Sequence, residues 1–185
     1  MLYINGLVRT DARLMSYDKR MHQVNLQLNL DSQLPAIYGV ADQLTQVVMN
    51  LLINAADALE SVEEHQREIT LSSEVCKGGN ICLAVADNGC GMSKDTVNRA
   101  FEAFFTTKSR GTGLGLSLCY SIVTEHGGTI EIDSTLGKGT QVRVTLPVDP
   151  RNSLHRHPDQ EWRAQAQARA QNKLFQLAGD GSKKI

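Results

Sequence analysis

Gln46-Val47-Val48-Met49-Asn50-Leu51-Leu52-Ile53-Asn54-Ala55-Ala56-Asp57 is the stretch from which the rest of the chain can be ordered. Leu44, Val47, Val48, Leu51, Leu52, Ala55, Ala58, Leu59 and Val62 recur at three- and four-residue spacing, which predicts an amphipathic helix over 40–62. Asn50, Asn54, Asp57 and Ser61 share that period and line a polar face beside the apolar one. Upstream, Val24, Leu26, Leu28 and Leu30 alternate with Asn25, Gln27 and Asn29 and predict a half-buried strand. Leu34-Pro35 interrupts it, and a short strand at Ile37-Tyr38 follows. Residues 1–22 read as a helix with Ile4, Leu7, Val8, Asp11, Leu14 and Met15 on one face.

Downstream, strands at 68–76 and 80–87 join through Gly78-Gly79-Asn80, a hairpin signal. Ser93 is placed to cap a short helix carrying Val97, Ala100, Phe101 and Phe104 on one face. Residues 105–113 read as a loop, and a helix from Leu114 to His126 stops at Gly127-Gly128. A last hairpin pairs 129–134 with 141–146. Helices alternating with strands that include two hairpins predict an α+β fold: a two-layer sandwich with a mixed sheet and helices on one face.

The 185 residues suit one domain and a tail, and 41% hydrophobic against 21% charged residues describes an ordinary globular core. Residues 1–149 hold 12 Lys/Arg and 17 Asp/Glu, net −5, while 150–185 hold 7 and 3, net +4. The sum of −1 removes the electrostatic argument for a nucleic-acid partner. No apolar run approaches the roughly 18–20 residues of a membrane helix. Cys76, Cys82, Cys90 and Cys119 show no CxxC or metal-ligand spacing, which suits reduced thiols and a cytoplasmic location. The expected boundary falls at 148, with 149–185 a polar, partly helical tail.

Three constellations carry chemistry. An amide oxygen on the Asn50–Asn54–Asp57 face can hold Mg²⁺ while phosphates complete its shell, although alone such a face reads as solvated. In Asp87-Asn88-Gly89-Cys90-Gly91-Met92, a strand-end carboxylate can accept from a purine's exocyclic amine while glycines let backbone approach the ring. The same residues also suit a plain turn. Gly111-Thr112-Gly113-Leu114-Gly115-Leu116 opens a helix, where freed N–H groups form an anion site. Lys108 and Arg110 add positive charge just upstream. Neither GxxxxGK[ST] nor GxGxxG is present.

Taken together, Asn50-x-x-x-Asn54-Ala55, Asp87 to Met92, Phe101-Glu102-Ala103-Phe104-Phe105-Thr106-Thr107-Lys108 and Gly111 to Leu116 occur in a specific order. Over residues 4–148 the chain resembles the ATP-binding catalytic domain of bacterial sensor histidine kinases, within the gyrase and histidine-kinase ATPase superfamily. The four blocks correspond to the N box, first glycine box, F box and second glycine box. The Thr-Thr-Lys with its short loop looks most like the nitrogen-regulation type. The resemblance implies the Bergerat ATP-binding fold, ATP and Mg²⁺ as ligands, and roles by position. Asn54 would be the Mg²⁺ ligand, and Asn50 a second polar contributor near metal and phosphates, with Asp57 and Lys108 beside them. Asp87 would bind the adenine amine, with Gly89 and Gly91 shaping the pocket and Thr140 closing it. Gly111, Thr112, Gly113, Leu114 and Gly115 would meet the phosphates, residues 92–112 would form the ATP lid, and Phe101 and Phe104 would anchor it.

Two departures stand out. Ala103 replaces the family's usual proline. None of His22, His65, His126, His155 or His157 sits in the block that carries the phospho-accepting histidine, and each reads as a surface or capping residue. The dimerisation domain is therefore expected on another chain or in a longer parent. Superfamily members that hydrolyse ATP or phosphorylate serine place a glutamate where Asn50 stands, and a neutral amide cannot take a proton. The expectation is thus a phosphoryl-donating module for a histidine supplied in trans, with a response regulator as indirect partner. A non-catalytic nucleotide-binding or interaction module of the same fold is the alternative.

Overall fold

The computed structural model describes residues 1–108 and 111–149. Four helices and five strands run in the order α1 (Ile4–Met15), β1 (Asn25–Leu30), α2 (Ala41–Ala58), β2 (Glu68–Val75), β3 (Ile81–Asp87), α3 (Lys94–Arg99), α4 (Gly115–Glu125), β4 (Thr129–Thr135) and β5 (Gly139–Leu146). The strands form one sheet in the order β1-β2-β3-β5-β4. β1 is parallel to β2, and the remaining pairs are antiparallel. The mixed α+β sandwich is therefore as expected.

Period-two alternation explains the two layers. Ile69 and Leu71 of β2, Leu83 and Val85 of β3, and Val142 and Val144 of β5 are buried beneath the helices. Their neighbours Thr70, Gln141 and Arg143 turn to the opposite face. α2 supplies Leu44, Val47, Val48, Leu51, Leu52, Ala55 and Ala56 to the core, and α4 adds Cys119, Ile122 and Val123. Burying a large aliphatic side chain contributes about 1.5–3 kcal/mol, so α2 is held chiefly by this stripe rather than by its ends, which have no side-chain cap.

Several local expectations change. The first helix ends at Met15 instead of running to residue 22. Asp18 then caps a separate 3-10 turn, its carboxylate accepting from the N–H of Arg20 at 2.9 Å. Within α1, Leu14 is exposed and Ala12 takes its place in the buried stripe. Ile37 makes only an isolated bridge to Leu2. Ser93 caps α3 as expected, accepting from the N–H of Thr96 at 3.2 Å. Phe104 does not join Phe101: the Phe101 ring lies 5.5 Å from that of Tyr120, whereas Phe104 is 76% exposed at φ 66°.

His126 caps the C-terminal end of α4, as the capping reading expects, but it is buried rather than on the surface. Its Nε2 accepts from the N–H of Val40 at 3.0 Å and its Nδ1 donates to the carbonyl of Ile122 at 2.8 Å. This pairing assigns the neutral Nδ1–H tautomer and joins the end of α4 to the start of α2. The expected tail from residue 150 onward, with His155 and His157, lies outside the described residues, as does Arg110. Among the described residues no helix is long and apolar enough to cross a membrane.

Candidate nucleotide site

The polar face of α2 looks toward the segment that opens α4. Asn50 and Asn54 lie one turn apart, and a Cβ at Gly115 would stand 3.8 Å from Asn54 Nδ2 and 4.0 Å from Asn50 Cγ. Asn50 Nδ2 donates to the carbonyl of Gly115 at 3.5 Å, the long limit of such a bond. The N box and the second glycine box thus face each other across van der Waals distance. α4 begins without a side-chain cap at Leu114, the kind of helix start that can accept an anion. Gly111, Thr112 and Leu114 are exposed, and Gly113 lies between them at φ 69°. Gly113 accepts from the N–H of Phe104 at 2.9 Å while a Cβ there would press on the Phe104 backbone, which fixes the loop against the F box.

Lys108 closes a polar cluster on α2. Its ammonium donates to Asn54 Oδ1 at 2.9 Å and to Asp57 Oδ2 at 2.8 Å. Asp57 Oδ1 faces Arg20 Nη1 at 3.4 Å, and Arg20 is in turn clamped to Asp18 by its Nε and Nη2. The guanidinium holds the Asp18 carboxyl well below the ordinary range. Arg20 escaped the sequence reading because only the tertiary fold brings the turn after α1 to the end of α2. Asp18-x-Arg20 signals a capped turn and nothing more.

At the other end of the site, Asp87 finishes β3 opposite Thr140 of β5. Asp87 Oδ1 accepts from the N–H of Gly89 at 2.9 Å. Burial raises the Asp87 pKa, while the N–H groups of Gly89 and Thr140 and the charge of Lys108 act the other way. A half-buried carboxylate with remaining acceptor capacity is suited to an amine donor. The turn leaving Asp87 runs tightly against α2: the N–H of Cys90 donates to the Ala58 carbonyl at 3.0 Å, and a Cβ at Gly89 would sit 2.5 Å from that oxygen. Gly91 likewise abuts the Thr135 backbone. Ser134 ties these pieces together, accepting from the N–H of Met92 at 2.8 Å and donating to the Gly139 carbonyl at 3.0 Å, with Thr140 Oγ1 at 2.9 Å. Ser134 was not singled out from sequence, although the register of the 129–146 hairpin places it opposite Thr140.

Residues 39–150 match the family described as histidine kinase-, DNA gyrase B- and HSP90-like ATPases. The chain belongs to this family. Membership implies nucleotide binding, and the gathered glycine turns and carboxylate fit that ligand. Among relatives, sensor histidine kinase ZraS of Escherichia coli K12 is 36% identical over 146 residues, covering 79% of this chain and 30% of its own length. Sporulation kinase E of Bacillus subtilis is 35% identical over 146 residues, covering 79% and 19%. The nucleotide-free catalytic domain of histidine kinase ThkA superposes with a TM-score of 0.70 at 28% identity, covering 81% of this chain and 95% of that domain. The chain spans at most 31% of the first curated relatives it matches. As a family member it carries both glycine boxes, while Ala103 leaves its F box without the usual proline.

Proposed function

We propose that this chain is the ATP·Mg²⁺-binding catalytic domain of a two-component sensor histidine kinase, ending near residue 148, which donates the γ-phosphate to a histidine on a dimerisation domain. Asp87, with Gly89, Gly91 and Thr140, receives the adenine. Gly111, Thr112, Gly113, Leu114 and Gly115, with Lys108, face the phosphates at the start of α4. Asn54 holds the cation, with Asn50 and Asp57 beside it. The donor set fits a hard cation, since an ammonium already lies between Asn54 Oδ1 and Asp57 Oδ2. Among the described residues no three His, Cys, Asp or Glu side chains gather as a metal cage, so phosphate and water oxygens would complete the shell. Bound Mg²⁺ would supply charge neutralisation at the phosphates.

The observation that carries the kinase reading is Asn50 against the Gly115 carbonyl. An amide in this position takes no proton, and Asp57, the next carboxylate along the face, is engaged by Arg20 and Lys108. The protein therefore binds, orients and neutralises, while the nucleophile and its base come from the partner. That assignment supports a phosphoryl donor over a self-sufficient ATPase. Thr106-Thr107-Lys108 and the short loop after it favour the nitrogen-regulation type, with a cytoplasmic location and a response regulator downstream.

The test is calorimetric titration with a non-hydrolysable ATP analogue, with and without Mg²⁺, on wild type, Asn54→Ala and Asp87→Ala. Radiolabelled ATP is then supplied together with a histidine-bearing dimerisation domain. Mg²⁺-dependent binding lost in both variants, followed by acid-labile label on the partner, is expected. Binding without label transfer leaves a nucleotide-binding interaction module. No binding at all removes the kinase reading.

A further inference from the structure

Asn54 and Asp57 lie three residues apart on α2, so one helical turn presents Oδ1 of the first and Oδ2 of the second to a single point. The Lys108 ammonium occupies that point, at 2.9 and 2.8 Å. The Asp57 carboxylate is held in place from behind, because Arg20 faces its other oxygen at 3.4 Å while being clamped to Asp18. An amide oxygen and an oriented carboxylate oxygen are what a hard cation takes. The ion pair is also loose enough to exchange: the Lys108 side chain is 41% exposed and Asp57 28%.

We propose that Lys108 holds the place of the divalent cation in the nucleotide-free protein and is exchanged for it, so that metal entry at Asn54 frees the ammonium for the phosphates. The proposal rests on the ATP·Mg²⁺ reading above. Two cations about 4 Å apart in a partly desolvated site repel strongly, so they do not share these two oxygens. The destination of the ammonium follows from its backbone. The Lys108 carbonyl accepts from the N–H of Gly111 at 3.2 Å, which joins the lysine to the head of the phosphate-facing loop. Lys108 thus has two opposed effects: it competes with a metal that arrives alone and assists a metal that arrives with nucleotide. An ordinary surface ion pair does neither.

The experiment uses Mn²⁺ alone as the probe, followed by water-proton relaxation on the full chain. Wild type, Lys108→Met and Lys108→Arg are compared, each with and without Asn54→Ala so that only binding at this site is counted. Binding of the non-hydrolysable ATP analogue with Mg²⁺ is measured separately. Lys108→Met is expected to tighten Asn54-dependent Mn²⁺ binding about tenfold, or about 1.4 kcal/mol. It is also expected to weaken analogue binding several-fold, whereas Lys108→Arg, which keeps a cation at this point, should not tighten Mn²⁺ binding. Mn²⁺ affinity that is unchanged, weaker or independent of Asn54 in Lys108→Met overturns the exchange, whatever the nucleotide does. Loss of analogue binding in the wild type overturns the ATP reading instead, and the metal arm, which contains no nucleotide, keeps the two failures apart.

Discussion

Asp11 is 2% exposed on the inward face of α1, and its Oδ2 has no hydrogen-bond partner. Burial pushes its pKa from the ordinary 3.8 up to about 6, with a side-chain hydrogen bond from Thr45 on α2 opposing the rise. The folded state therefore prefers the protonated acid, and the sign follows. Stability from this group is fully present below the unfolded pKa near 3.8 and is lost as pH climbs through about 6. At about 1.36 kcal/mol per pH unit the difference amounts to about 3 kcal/mol. Relaxation of α1 and entry of water around the ionised carboxylate reduce this to about 2–3 kcal/mol. Asp11→Asn keeps the shape and removes the titration. Urea unfolding of wild type and variant, followed by far-ultraviolet circular dichroism from pH 4 to 8, should show the variant gaining about 2–3 kcal/mol on wild type across that window. The denaturant slope should not change. For a domain of this size that corresponds to a melting-temperature gap widening by about 4–12 °C. Parallel pH profiles would refute the reasoning, because they would mean that the buried carboxylate carries no ionisation penalty.

Three further outcomes are expected. In the proposed adenine contact an ionised Asp87 is the stronger acceptor for the amine, and its pKa is raised by burial, so nucleotide affinity should fall on acidification before ordinary carboxylates titrate. Asp87→Asn should bind at least about tenfold more weakly with a flat pH profile, read by calorimetry. Gly89→Ala places a Cβ 2.5 Å from the Ala58 carbonyl, and should cost about 1–3 kcal/mol in chemical denaturation together with nucleotide affinity. Phe104→Gly relieves a left-handed backbone at φ 66° on a largely exposed residue, and should stabilise the fold by about 0.5–1 kcal/mol in the same assay.

The sequence by itself determined the elements and the order of the chemistry-bearing blocks. Period 3.6 in Leu44–Leu59 depends on which side chains must leave water, a constraint written residue by residue; period two in β1 shows it only in part, because Leu26 and Leu30 are half-buried while Leu28 stays exposed. The glycine boxes were legible for the same local reason, since only particular residue types allow tight turns and leave helix N–H groups free. Tertiary structure alone decided which groups meet. The sheet order places Thr140 between Asp87 on one side and Ser134 on the other, a matter of strand register over long sequence separation. Close packing separated Phe101 from Phe104 and put Ala12 inside while Leu14 stayed out. His126 reads as a helix end in sequence, yet its ring bonds to Val40, 86 positions away. Asn54 and Asp57 share the helical period of α2, but Arg20 and Lys108 come from two other segments, and no local pattern couples those to the helix. Their contact exists because burying the α2 stripe fixes that helix's rotation, and with it the direction in which its polar face must look.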